Sequence, residues 1–299
     1  MDHELNERLR RVLSSLEMIL PRPVPTIDWG GTIAANWKRH SFGGYLEPLV
    51  VDEKSSLPFD ALFGIDRQKK IVDENTQQFL EGYPSNNMLL WGTRGTGKSS
   101  LVRALLLRNH QRGLRVIQVE KDDLVSLPAI TDAIRGLPYR FILFADDVSF
   151  ETGESSYKML KSALDGAVYG LPENARIYVT SNRRHLLPEY ETDNRGAMLV
   201  NNEIHHGESV EEKISLSGRF GIWVGFHPFN RTQYLEVVRL WIARLCRNNG
   251  VDPLWNREIE DAAEEWSQAK GDRSGRIALQ FATDWVGHYL LERRREHGR

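Results

Sequence analysis

Cysteine is nearly absent: Cys246 stands alone among 299 residues. That excludes an intrachain disulfide and a cysteine-based zinc site. Cys246 falls in a helical pattern, where a small buried apolar side chain is expected. Long apolar runs are missing as well, since none approaches the roughly 18 residues that cross a bilayer. The opening Met1-Asp2-His3-Glu4 has neither the basic nor the apolar region of a signal peptide. A cytoplasmic protein without membrane contact is expected by elimination. Nor does one sign of charge dominate. The 39 basic and 41 acidic residues leave a formal charge of -2, so no global field draws the chain to nucleic acid or anionic lipid. Any nucleic-acid contact has to be local. Internal repeats and low-complexity tracts are also lacking, and an apolar content of 40% suffices for an α/β core with a smaller second domain.

What is present is a run of glycines with a lysine in a fixed place. Gly92-Thr93-Arg94-Gly95-Thr96-Gly97-Lys98-Ser99 fits the phosphate-loop pattern G-x-x-x-x-G-K-[ST], preceded by the apolar Met88-Leu89-Leu90-Trp91 and followed by a helical stretch from Ser100. Glycines let the backbone curl around a polyphosphate so that its N–H groups and the helix N-terminus face the anion. Lys98 adds a mobile cation, and the Ser99 hydroxyl suits magnesium, a hard ion that takes oxygen ligands. An accidental match is rare, and the strand before and helix after are what the motif requires. A nucleotide polyphosphate with Mg2+ is therefore the expected ligand.

Leu5, Leu9, Val12, Leu13, Leu16, Ile19 and Leu20 recur at helical spacing, and Pro21, Pro23 and Pro25 then stop the helix. Packing on the protein's own core or on a neighbouring subunit is expected of it, because its polar face mixes acid and base. Residues from Thr26 to about Pro58 read as irregular. Trp37-Lys38-Arg39-His40 within them joins aromatic and basic side chains, as single-stranded nucleic-acid sites do, though one short cluster is weak support. From Phe59 onward, five strands (Met88 to Trp91, Arg115 to Val119, Phe141 to Ala145, Arg176 to Thr180, Ile222 to Gly225) alternate with helices, the pattern of a parallel sheet covered on both faces. After His227-Pro228 only helices are expected. The organisation is thus an extension (1–58), an α/β core (59–228) and a helical lid (229–299). The sequon at Asn230 matters only in a secreted protein and is read as accidental.

The remaining chemistry is sought at strand ends. Phe141 to Ala145 delivers Asp146-Asp147. Asp146 suits the magnesium ion through water, and Asp147 suits the attacking water. The next strand ends at Asn182, a neutral amide able to hold water or γ-phosphate without repelling its charge. Arg219 lies just before the fifth strand, where a permanent cation can complete a neighbouring subunit's site; an intrachain ion pair is the competing reading. Arg276 opens a helix of the lid and can reach back to the phosphates.

This succession over five strands and a helical lid resembles an AAA+ ATPase. Asp146-Asp147-Val148-Ser149-Phe150 is similar to the Asp-Asp pattern of the bacterial replication initiator. Gly64-Ile65-Asp66-Arg67-Gln68, Thr180-Ser181-Asn182-Arg183-Arg184-His185-Leu186 and Ser215-Leu216-Ser217-Gly218-Arg219-Phe220-Gly221 resemble the bacterial ATP-binding family called domain of unknown function 815, from about Gly44 to Gly287. The resemblance implies a phosphate-loop strand near the sheet centre, an adenine pocket formed partly by Phe63-Gly64-Ile65, nucleotide contacts from Gly64 and Ile65 and from Gly92 to Ser100, and assembly into rings or filaments. Many AAA+ members carry glutamate where Asp147 stands, one methylene longer. Weak water activation in the resting protein follows, with Glu151 or Glu154 as side chains that could compensate.

The function expected from these features is an oligomeric ATPase that remodels, loads or assembles a protein or nucleoprotein client. The alternative is a slowly hydrolysing switch that binds a partner or DNA. A small-molecule kinase leaves Arg219 and the lid unexplained. Lys121-Asp122-Asp123-Leu124-Val125 lacks the aromatic residue of protein-threading loops, which favours loading or assembly over processive unfolding. The long connection from Arg183 to Gly207 is where client contacts are expected. His205-His206 within it lacks the further placed ligands of a metal site.

Overall fold

The computed structural model describes residues 5–12, 26–40, 43–52, 56–150, 154–165, 170–184, 186, 198–200, 203–205, 216 and 218–297. A helix α1 (5–12) precedes strands β1 (Ala34–His40) and β2 (Gly43–Pro48). Then come α2 (Asp66–Leu80), β3 (Met88–Gly92), α3 (Lys98–Asn109), β4 (Leu114–Gln118), α4 (Leu127–Ile134), β5 (Arg140–Ala145), α5 (Ser155–Leu164) and β6 (Ala175–Ser181). A small antiparallel pair, β7 (Met198–Val200) and β8 (Glu203–His205), lies between β6 and β9 (Ile222–Phe226). Helices α6 (Arg231–Asn248), α7 (Arg257–Lys270) and α8 (Gly275–His297) follow.

The main sheet runs β2-β1-β4-β5-β6-β3-β9 and has seven strands. All neighbours pair in parallel except β1 and β2. The five expected strands are there at nearly the expected bounds, but β3, expected near the centre, is sixth of the seven, between β6 and the edge strand β9. The difference is at the other edge, where the segment expected to be irregular adds β1 and β2. Ala35 and Trp37 of β1 are buried on one face while Lys38 and Arg39 are exposed. Burial at the start of β1 and exposure at its end give a faint signal beside the continuous apolar run of β5, which is covered on both faces. Trp37 is 4% exposed and lies flat on Gly44, where a Cβ would come within 2.2 Å of its ring. Trp29 is buried edge-on against Phe141, with ring centres 4.9 Å apart, and its carbonyl accepts two hydrogen bonds from the Arg115 guanidinium. The two tryptophans are thus committed to packing.

Successive side chains on a strand point to opposite faces. Met88 and Leu90 accordingly join one apolar cluster, with α2, α3 and the C-terminal helices, and Leu89 joins the other, with α4 and α5. Cys246 is buried in the first cluster, among residues of the C-terminal helices. Helix α6 opens with a reciprocal cap: Asn230 Oδ1 accepts from Gln233 N and Gln233 Oε1 accepts from Asn230 N. The sequon asparagine is therefore used as a helix cap. Leu5, Leu9 and Val12 of α1 are exposed, and the apolar positions from Leu13 to Leu20 lie outside the described residues.

Candidate nucleotide-binding site

The turn from β3 into α3 needs backbone that side chains obstruct. Gly92 has φ 124°, and a Cβ there would lie 2.0 Å from the Phe226 carbonyl oxygen of the adjacent strand. Gly95 has φ 73°, and its Cβ would meet Ser274 Oγ at 2.8 Å. Gly275 N donates to Gly95 O at 2.8 Å, so the start of α8 is fastened to the loop itself. Gly92→Ala is expected to destabilise the protein by about 3 kcal/mol or more, because backbone strain and a clash with immovable backbone add. Urea unfolding checks it, and a loss within about 0.5 kcal/mol would show that β9 can yield.

Lys98 begins α3 and is 7% exposed. Its Nζ donates to Gly92 O at 2.7 Å, to Thr93 O at 2.8 Å and to Asn182 Oδ1 at 3.3 Å. Burial pushes its pKa down to about 8, against the opposing pull of Asp147 and Asp146. Thr96 Oγ1 donates to Thr93 O at 2.7 Å and closes the loop. Ser99 Oγ donates to Asp146 Oδ1 at 2.6 Å. The two oxygens expected to share a magnesium ion therefore already converge.

Thr180 holds both aspartates, one by its carboxylate and the other by its backbone. Its hydroxyl donates to Asp146 Oδ1 and accepts from Asp147 N at 2.8 Å. Sequence alone assigns this residue no task; the available signal is a hydroxyl beside the end of a buried strand. Asp147 adopts φ 52°, a left-handed conformation uncommon outside glycine and one that marks stored strain. Its Oδ1 accepts from Asn182 Nδ2, and its Oδ2 lies 3.5 Å from Arg94 Nη2.

These groups line one side of a cavity of about 600 Å³. Arg94, Gly95, Thr96, Gly97, Lys98, Ser99 and Ser100 form its floor, and Asp146, Asp147, Thr180 and Asn182 its polar wall. The opposite wall is apolar, with Leu62, Phe63 and Ile65 facing Val237, Leu240 and Trp241 of α6. Arg276 and Leu279 of α8 close it. Gly64 shapes this wall without lining it: its φ of 76° turns the chain between Phe63 and Ile65, and its carbonyl accepts from Gln233 Nε2 at 3.4 Å. Gly92 and Thr93 likewise contribute carbonyls to Lys98 and are not part of the lining. The Val237, Leu240 and Trp241 face has no signature in the sequence, because helical apolar spacing reads only as core.

A polar floor and an apolar wall in a cavity of small-molecule size suit a ligand with an anionic tail and a flat apolar head. Among the described residues no group of three or more His, Cys, Asp or Glu side chains gathers. A cation here would lean on Ser99, Asp146, water and ligand oxygens, the habit of magnesium.

Arg219 is not in the cavity wall of its own chain. Its Nε pairs with Asp165, just beyond α5. Glu154 does not line the cavity either and pairs with Lys121 at 2.8 Å. Glu151, His206 and most of the connection from Arg183 to Gly207 lie outside the described residues.

The model of a family described as protein of unknown function (DUF815) matches residues 31–289. No curated protein matches the chain. Among solved structures, the Aeropyrum pernix ORC1 protein in complex with DNA is 13% identical with a TM-score of 0.50, over 82% of this chain and 66% of that one. The replication initiator DnaA bound to AMPPCP and single-stranded DNA is 18% identical with a TM-score of 0.47, over 77% and 65%. The Thermotoga maritima RuvB Holliday junction branch migration motor is 16% identical with a TM-score of 0.43, over 75% and 70%. At such identities the likeness to ORC1 is one of fold, a mostly parallel sheet with helices on both sides.

Proposed function

This chain belongs to the DUF815 family, and from the site that its fold builds we propose that it is an AAA+ ATPase. It binds ATP and hydrolyses it in an assembly of its own copies, to remodel, load or assemble a protein or nucleoprotein partner. The observation that carries this reading is the gathering of Lys98, Ser99, Asp146, Asp147, Asn182 and Arg276 around one cavity with an apolar wall beside it. Backbone N–H groups from Gly95 to Ser100 and the Lys98 ammonium bind the phosphates, and the base lies against Phe63, Ile65 and the α6 face. Ser99 and Asp146 would hold a magnesium ion, whose charge would neutralise phosphate oxygens. Asp147 orients the attacking water and accepts its proton at a carboxylate oxygen, Asn182 fixes that carboxylate, and Arg276 ties nucleotide state to the lid (229–299). Arg219, outside its own cavity, serves the site of a neighbouring copy.

A specific observation favours a second reading, a slowly hydrolysing switch: Asp147 is held by Asn182 and Arg94, and Arg219 by Asp165. Magnesium-dependent ATP hydrolysis measured across protein concentrations, with Lys98→Ala as blank, separates the two. Activity per subunit that climbs with concentration and vanishes in the blank is the expected result. Tight ATP binding without turnover would favour the switch. Binding of neither kind would end both readings. The partner class is tested at low salt, where contacts with DNA or RNA are strongest.

A further inference from the structure

Arg94 occupies a loop position whose backbone alone the phosphate motif uses, yet its side chain lines the cavity and reaches the candidate base. The contact is a single one, Nη2 to Oδ2 at 3.5 Å, between side chains 70% and 58% exposed. A pair this solvated is weak. It is also geometrically poor for arginine, whose planar fork is made to give two parallel N–H bonds to one oxyanion. Neither side chain makes another ion pair among the described residues.

The surroundings identify which oxyanion could compete. Asn182 bridges the site: its Oδ1 accepts from Lys98 Nζ at 3.3 Å and its Nδ2 donates to Asp147. In the phosphate-loop motif the lysine reaches the β- and γ-phosphates. Asp147 and Arg94 therefore stand at the γ end, beyond Lys98. The Arg94 charge is near enough to bear on Lys98, whose protonation it disfavours.

We propose that the Arg94 guanidinium is shared between Asp147 and the terminal phosphate of bound ATP, so that the third phosphate draws it off the carboxylate and frees the candidate base. The inference rests on the ATP-binding reading above and adds a sensor to it. A nucleoside diphosphate leaves Arg94 on Asp147. A triphosphate offers a more highly charged acceptor for both arms of the fork and takes it. The device makes the resting carboxylate unavailable until the substrate is complete, and Arg94 then touches the group being transferred.

The test is a four-protein cycle of wild type, Arg94→Ala, Asp147→Asn and the double variant. Calorimetry gives the affinities for ADP and for a non-hydrolysable ATP analogue with magnesium. If Asp147 competes for Arg94, Asp147→Asn raises the analogue-to-ADP affinity ratio by about tenfold with Arg94 present and by less than about twofold in the Arg94→Ala background. Plain repulsion between the carboxylate and the phosphate predicts equal gains in both backgrounds, and that result would overturn the proposal while leaving the ATP site standing. Arg94→Ala binding both nucleotides at the wild-type ratio would also overturn it. Loss of all nucleotide binding by wild type would instead remove the reading on which it rests. Both substituted side chains are largely exposed, so thermal unfolding should show all four proteins folded.

Discussion

Lys98→Met is expected to weaken ATP binding by about a thousandfold and, in the nucleotide-free protein, to raise stability. The two effects have one cause. The Lys98 ammonium is buried, and burial lowers its pKa from 10.5 to about 8. A lysine whose folded pKa is depressed destabilises the fold wherever it stays protonated. Below about pH 8 it is protonated in both states and the full penalty is present, on the order of 3 kcal/mol. Between about pH 8 and 10.5 the unfolded chain holds a proton that the folded chain has lost, so stability rises with pH across that window. Methionine has similar volume and no charge, and removes the penalty. It also takes the ammonium donor from the Gly92 carbonyl and the Asn182 oxygen, while the Thr93 carbonyl keeps the Thr96 hydroxyl, which offsets part of the gain. A net stabilisation of about 1–2 kcal/mol near pH 7 is expected. Binding moves the other way, because a polyphosphate would lose a buried cation worth roughly 4 kcal/mol, a factor of about a thousand in affinity. In the wild type, ATP affinity should fall as pH rises above about 8. Urea unfolding at pH 7 and pH 9.5 and calorimetry with ATP read both effects. Wild-type affinity in the variant would refute the phosphate site, and lower stability at pH 7 would show that the ammonium is well solvated in place.

Local, periodic features of this molecule were legible before its structure. The all-apolar β5 run, the glycines before Lys98 and the Asp146-Asp147 pair each announce themselves within a few residues. So did the helices after His227, whose apolar stripes face one shared cluster. What escaped depends on distant pairing. β1 and β2 are apolar only in part, and nothing near Trp37 in sequence shows that Gly44 lies beneath it. Thr180 gains its role from two aspartates 33 and 34 residues upstream. Trp241 lines the cavity because α6 is laid beside Leu62 and Phe63, and nothing in helical spacing separates such a residue from ordinary core. The link from Arg94 to Asp147 spans two loops and has no sequence signature. Arg219 sits between these cases. Its position before the fifth strand was legible, but its partner, Asp165, was not.

That partner sharpens the second large prediction. Arg219→Ala is expected to lower ATP hydrolysis by about a thousandfold while leaving ATP affinity within about threefold of wild type, since a finger acts on charge that develops only in the transition state. The competing account is that Arg219 braces Asp165 within its own chain. A brace would make Arg219→Ala and Asp165→Asn equivalent, with similar losses of stability and little specific effect on turnover. A finger makes them opposite. Asp165→Asn weakens the hold on the guanidinium, half-buried beside Asp165, and should raise activity at low protein concentration, where assembly limits turnover. Mixing decides the matter. Lys98→Met has no working nucleotide site but keeps Arg219, and Arg219→Ala keeps the site but lacks the finger. Two inactive proteins that regain activity when combined can do so only if one copy's arginine completes another copy's site. If the mixture stays inactive while both variants still assemble, Arg219 acts within its own chain, and the shared-site part of the proposal falls with it.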